Sequence, residues 1–249
     1  MSGTQNVNEH SFLQAFHNVQ DGHVLILPDQ ASRFAKDIAG DFNPIHDADS
    51  RRFCVPGDLL FALVLARYGV SARMHCRFVG MVGAGVQLVF PDDPGESFAV
   101  VDTQGKRYLE VERSGETVSD PYTVEALIRA YVAFSGENFP NVLVPLMEQK
   151  GQMINPDRPL VIYERMSLHL REPVGVLTET VQPRLNAAEM NVDGKRGEVR
   201  LDYALCVEGD PFAHGSKHLV LSGLRPFDAV KVDELVSAYA GWKARHESM

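Results

Sequence analysis

Residues 59–66, Leu-Leu-Phe-Ala-Leu-Val-Leu-Ala, are apolar without interruption, and Pro56-Gly57-Asp58 just ahead of them carries the signals of a helix start. A helix that is apolar on every side has no face to offer water, so other structure must enclose it. Gly69 is placed to stop it. The run is far short of the roughly 18 residues needed to span a bilayer. The polar start, residues 1–11, lacks the basic and apolar regions of a signal peptide. A cytoplasmic location away from membranes is the expectation.

The enclosing structure is legible downstream. After Gly69 the period changes, and residues 74–90, 97–102, 107–113 and 118–134 read as strands parted by turns such as Asp92-Asp93-Pro94-Gly95 and Gln104-Gly105. Such an antiparallel meander has one face to bury, and the apolar helix is the obvious filling. Upstream, residues 24–27 form a short β-like run. Pro28-Asp29 then opens a helix with Ala31, Phe34, Ala35, Ile38 and Ala39 at helical spacing, ended by Gly40.

The pattern recurs more weakly. Phe139-Pro140-Asn141 leads into Val142, Leu143, Leu146 and Met147 with a stop at Gly151, and residues 160–170, 176–186, 198–208 and 212–224 again read as strands. The expectation is an α+β chain of two helix-plus-sheet units, residues 1–137 and 138–227. An amphipathic helix over 228–249 follows, with Leu235, Tyr239 and Trp242 forming a docking face. The 249 residues, 45% of them hydrophobic, suffice for a sizeable core.

Charge and cysteine content narrow the function. Twenty-four Lys and Arg against 33 Asp and Glu leave a net charge of −9, and no basic run is interleaved with aromatics, which argues against nucleic acid as a partner. Cys54, Cys76 and Cys206 have no CxxC spacing and read as buried reduced thiols. His169, His214 and His218 lie on predicted strands, and alternation would set the last two on one face. No acidic or cysteine partner stands at ligand spacing, so no metal is expected.

One segment carries chemistry: Phe34-Ala35-Lys36-Asp37-Ile38-Ala39-Gly40-Asp41-Phe42-Asn43-Pro44-Ile45-His46-Asp47. Pro44 fixes its own backbone and pushes Asn43 out of the helical region, so the chain past Gly40 becomes a stiff irregular stretch. Two readings stand side by side. In one, Asp41 and Asn43 only make turn hydrogen bonds and His46 is a satisfied loop residue. In the other, carboxylate and imidazole share a water and transfer protons near neutral pH. Gly57, at the N-terminus of an enclosed helix, adds free N–H groups and the helix dipole, which suit a developing oxyanion.

The run Ala-x-x-Ala-Gly-Asp-Phe-Asn-Pro-Ile-His, then Pro-Gly-x-Leu-Leu opening a buried helix, resembles the MaoC-like (R)-specific enoyl-CoA hydratase branch of the hotdog superfamily. More narrowly, the whole chain resembles a proteobacterial family of about this length with no assigned function. The resemblance implies a double hotdog in which two antiparallel sheets, each wrapped around a central helix, join edge to edge. It implies that Asp41 and His46 activate water for addition to a trans-2-enoyl thioester, that Asn43 supports their geometry, and that the Gly57 amide binds the thioester carbonyl. Coenzyme A would enter as part of the substrate, with no separate cofactor. Arg51 and Arg52 suit its phosphates, and the molecule would be a monomeric pseudo-dimer or a homodimer.

The chain also departs from that pattern. The hydratases usually carry His-Gly-Met or His-Gly-Leu where Pro56-Gly57-Asp58 stands, and a serine where the substrate-facing position is Ala62. Asp58 turned inward would oppose an enolate. Turned outward it stabilises the helix N-terminus, and that orientation is expected. Two rival functions follow from the departures: a non-catalytic acyl-thioester binding or regulatory protein, and an acyl-CoA thioesterase with Asp41 activating water against the carbonyl.

Overall fold

The computed structural model describes residues 12–136, 138–171, 175, 177 and 180–248. Strands β1 (Asn18–Gln20) and β2 (His23–Leu25) lead into helix α1 (Pro28–Arg33), which widens into a π-helical turn, Phe34–Ala39, and stops at Gly40 with φ 64°. Helix α2 (Gly57–Tyr68) is followed by β3 (Val70–Phe78), β4 (Gln87–Val89), β5 (Ser97–Asp102) and β6 (Arg107–Val118). Helix α3 (Pro121–Gly136), the short turns α4 (Asn138–Asn141) and α5 (Leu143–Gln149), and β7 (Gln152–Met153) come next. Strands β8 (Val161–Leu170), β9 (Val181–Asp193), β10 (Arg196–Val207), β11 (Asp210–Ser222) and β12 (Arg225–Pro226), then helix α6 (Ala229–Glu247), complete the chain.

Ten of these strands form one antiparallel sheet in the order β1-β2-β4-β5-β6-β3-β8-β11-β10-β9, so the fold is α+β with a large antiparallel sheet and helices. The halves of the chain meet at β3 and β8, where Met74 pairs with Leu168 and Cys76 with Met166. Pairing there removes an edge that each half would otherwise expose. The connectivity is the same on both sides. A long helix leads to a strand, and a three-strand meander returns its last member beside that strand: β6 beside β3, β11 beside β8.

Helix α2 is enclosed as its composition requires, with every residue from Asp58 to Leu65 buried. Each large apolar side chain so withdrawn contributes about 1.5–3 kcal/mol. Its partner is α3, and the Phe61 and Tyr131 rings meet at 4.9 Å between the two helices. Among the described residues no helix is long and apolar enough to cross a membrane.

The structure corrects the reading of residues 118–134 as a strand: β6 ends at Val118 and α3 begins at Pro121. Valine, isoleucine and tyrosine favoured a strand by propensity, but local capping wins. The Asp120 carboxylate accepts from the Thr123 amide at 2.8 Å and from its hydroxyl at 2.7 Å, and Pro121 fits the first turn. Val124, Leu127, Ile128, Tyr131, Val132 and Ser135 then repeat at helical spacing and are buried. The long helix that packs against α2 is α3, and the segment after Pro140 forms only the short α5. Residues 74–90 also divide, since β3 ends at Phe78 and β4 starts at Gln87.

Candidate functional site

Gly40 adopts the left-handed conformation, which a residue with a Cβ resists, and turns the chain so that the Asp41 amide donates back to the Ala35 carbonyl at 2.8 Å. Beyond it both turn bonds form. Asp41 Oδ1 accepts from the Asn43 amide at 2.9 Å, and Asn43 Oδ1 accepts from the Ile45 amide at 3.2 Å, capping the 3-10 turn Pro44–His46. His46 Nδ1 lies 2.7 Å from the Cys54 carbonyl oxygen. A carbonyl only accepts, so Nδ1 carries a hydrogen, and the lone pair of an uncharged ring so held lies on Nε2. Nε2 faces Asp41 Oδ2 at 3.7 Å, too far for a direct hydrogen bond and suited to a water held by both. The two readings of this segment therefore do not compete: Asp41 uses one carboxylate oxygen for the turn and leaves the other for the imidazole.

Asp41, Asn43, His46 and Gly57 line one cavity of about 370 Å³, whose walls are mostly apolar side chains. Gly57 occupies the first turn of α2, where the N–H has no helical carbonyl to bond and the dipole is positive. A Cβ at Gly57 would stand 3.1 Å from the Phe78 ring, so the bare backbone is what fits against this wall.

Asp58 does not point outward as expected. Its side chain is buried and its Oδ1 lies 3.5 Å from Nζ of Lys217, which is itself fully buried. Lys217 also donates to the Tyr131 carbonyl at 3.2 Å and to the Ser135 hydroxyl, and its ammonium sits 3.6 Å from the centre of the Tyr131 ring. Burial pulls Lys217 down to about 8, although Asp58 and Asp41 both favour its charged form. The inward carboxylate is thus opposed by a cation from the other half of the chain. Burial also pushes Asp41 above the usual carboxylate range, with His46 and the Asn43 amide working against the rise.

Sequence reasoning missed Lys217, although a signal was present. On β11 the buried positions include Ala213, Lys217, Leu219 and Leu221, so the alternation that marks the apolar face runs through the lysine. Ser135, Asn138 and Tyr163, which line the cavity where Lys217 does not, were missed as well.

The docking face expected of α6 closes the same cavity, with Leu235, Tyr239 and Trp242 in its wall. The Tyr239 hydroxyl accepts from the Phe42 amide at 3.1 Å and donates to the Gly40 carbonyl at 3.2 Å, tying the helix to the turn segment. The end of α3 touches the same place backbone to backbone. A Cβ on Gly136 would come within 1.7 Å of the Ala39 carbonyl oxygen. Gly136→Ala is therefore expected to cost on the order of 1–3 kcal/mol in urea unfolding and to lower the apparent Tm. An unchanged midpoint would mean that α3 and the Gly40 turn are not in contact.

Arg51 and Arg52 are exposed, Ala62 is buried within α2, and none of the three lines the cavity. Cys54 lines the cavity, but burial pushes its thiol up to about 11, which keeps it protonated at neutral pH. His169 faces His214 across β8 and β11 and His75 across β3, with ring centres at 5.3 and 4.9 Å. Among the described residues no group of three or more His, Cys, Asp or Glu is arranged to hold a metal ion.

A family model described as "Protein of unknown function (DUF3581)" matches residues 11–230. No curated protein matches the sequence. Among solved structures, a TesB protein of Mycobacterium avium subspecies paratuberculosis is similar at 8% identity and TM-score 0.41, over 69% of this chain and 89% of that one. An acyl-CoA thioesterase II, TesB2, of Mycobacterium marinum is similar at 10% identity and TM-score 0.39, over 70% and 90%. Full-length peroxisomal multifunctional enzyme type 2 of Drosophila melanogaster is similar at 12% identity and TM-score 0.42, over 82% of this chain and 47% of that one.

Proposed function

We propose, for a chain that belongs to the DUF3581 family of proteins of unknown function, the reversible hydration of a 2-enoyl thioester at the Asp41–His46 pair. The observation that carries this reading is His46, held through Nδ1 at the Cys54 carbonyl, with Nε2 facing Asp41 Oδ2 across 3.7 Å at the wall of an apolar cavity that Gly57 also lines. In the hydration direction a water held between the two groups forms its O–Cβ bond as the C=C π bond breaks. One of the pair accepts a proton from the water and passes that proton to Cα on the same face, so that the water adds as OH and H and the pair is restored. The thioester oxygen, gaining enolate charge, accepts from the Gly57 amide. A positioned acid–base pair supplies about 10²–10⁴ in rate and an oxyanion donor about 3 kcal/mol.

The fold that goes with this reading is a double hotdog, with α2 and α3 as the two central helices. The second unit then begins at Pro121, ahead of the 137/138 boundary read from sequence, and contributes Lys217, Ser135 and Tyr163 to a single shared site. Coenzyme A as carrier, with Arg51 and Arg52 toward its phosphates, and action in the cytoplasm belong to the same proposal.

Short and medium trans-2-enoyl-CoAs, followed by loss of enoyl absorbance alongside a thiol reagent, test it. Hydration without thiol release supports the reading. Release of free CoA indicates the thioesterase, and saturable binding without turnover indicates the binding protein.

A further inference from the structure

Asn138 is buried and lines the cavity; the Tyr163 hydroxyl approaches it, but neither Nδ2 nor Oδ1 is held in a hydrogen bond of ordinary geometry. An amide with no good partner in the protein depends on what fills the cavity, and a ligand that meets both its donor and its acceptor gains accordingly. Its place in the cavity is defined. It stands just past Gly136, which abuts the backbone of Ala39 and Gly40, and the Tyr163 hydroxyl faces both Asn138 and Ser135 while feeling the charges of Asp58 and Asp41. Asn138 therefore belongs to the reacting end of the cavity, not to a remote acyl tail.

The chemistry of the wall limits what can bind there. Among the described residues no Lys or Arg lines the cavity, whereas Asp41 and Asp157 do. An anionic group on the acyl chain would meet carboxylates, and the nearby Lys217 ammonium, outside the lining, is already opposed by Asp58. A neutral group that both donates and accepts fits, because it meets the donor and the acceptor of one amide together.

We propose that the cavity selects acyl thioesters bearing a neutral hydroxyl or amide close to the reacting carbons, docked on Asn138. The inference rests on the acyl-thioester reading and names its substrate class.

Binding can be separated from turnover because Trp242, the chain's single tryptophan, is in the cavity wall and reports occupancy by fluorescence. Saturated probes, which cannot be hydrated, are butyryl-CoA, 4-hydroxybutyryl-CoA and succinyl-CoA. The hydroxylated probe is expected to bind about 10- to 100-fold more tightly than the other two. In Asn138→Leu the ratio of the hydroxylated to the plain probe's affinity should fall to within about 3-fold, a change of ratio that loss of folding, which abolishes both, would not give. Asn138→Asp should weaken the hydroxylated probe less than Asn138→Leu does, since it keeps an acceptor. Equal binding of all three probes, or a preference that survives Asn138→Leu, overturns this inference and leaves the thioester reading standing. Failure of every thioester to bind overturns both.

Discussion

Asp41→Asn is expected to lower kcat for hydration of a short trans-2-enoyl-CoA by about 10²–10⁴, and His46→Ala by a similar factor. The two substitutions together should cost little more than either alone, because the groups hold one water and act as a unit. The asparagine variant still offers a carbonyl oxygen to the Asn43 amide, so the turn at 2.9 Å can persist while the titrating oxygen opposite His46 is lost. Folding and catalysis are thereby separated, and circular dichroism and urea midpoints should stay close to those of the parent. The pH profile gives a further handle. Burial raises Asp41, so an activity that needs its carboxylate ionised disappears as pH falls through a value above the ordinary carboxylate range. An Asp41→Asn variant that turns over at the parent rate would remove this residue from the mechanism.

Lys217→Met should be the most destabilising single change in the site, by about 3–5 kcal/mol in urea unfolding, since it strands the buried Asp58 carboxylate without its cation. Adding Asp58→Asn to Lys217→Met should recover much of the loss, because a neutral amide carries no such penalty. The coupling between the two positions is the quantity to measure. Stability should also depend on alkaline pH. With Lys217 near 8 in the folded protein and about 10.5 when unfolded, the unfolded chain holds the extra proton between those values, so stability rises with pH across that window. Its slope is at most about 1.4 kcal/mol per pH unit for this one group. Tyr131, Tyr163 and Tyr203 act in the opposite sense above about pH 10, because burial holds their hydroxyls protonated after the unfolded chain has released them. A Lys217→Met variant as stable as the parent would show that Asp58 does not depend on the lysine for charge balance.

The parts of this molecule that could be read from sequence are those whose chemistry is local. Helix α2 announces itself by being apolar all round, and the Asp41–His46 turn is fixed locally by Gly40 just ahead of it and by Asn43 and Pro44 within it. Helix α3 was hidden because β-branched and aromatic residues outweighed the Asp120-Pro121 cap, although the spacing from Val124 to Ser135 is helical. The orientation of Asp58 could not be read from its neighbours at all. Beside a helix N-terminus an aspartate gains from facing solvent, and only the arrival of Lys217 on β11, brought alongside by the β3–β8 pairing, makes the inward position tenable. Asn138 and Tyr163 were invisible for the same reason: each becomes part of the site only when the two halves share one sheet.

The most direct test of the catalytic geometry is hydration of a trans-2-enoyl-CoA in deuterated water, with the product resolved for configuration at C3 and deuterium at C2. Addition of oxygen and deuterium to one face, giving an (R)-3-hydroxyacyl-CoA and abolished by Asp41→Asn, is the predicted result. Recovery of free coenzyme A with no hydroxyacyl product, or no conversion of any enoyl thioester by a folded protein, would contradict it.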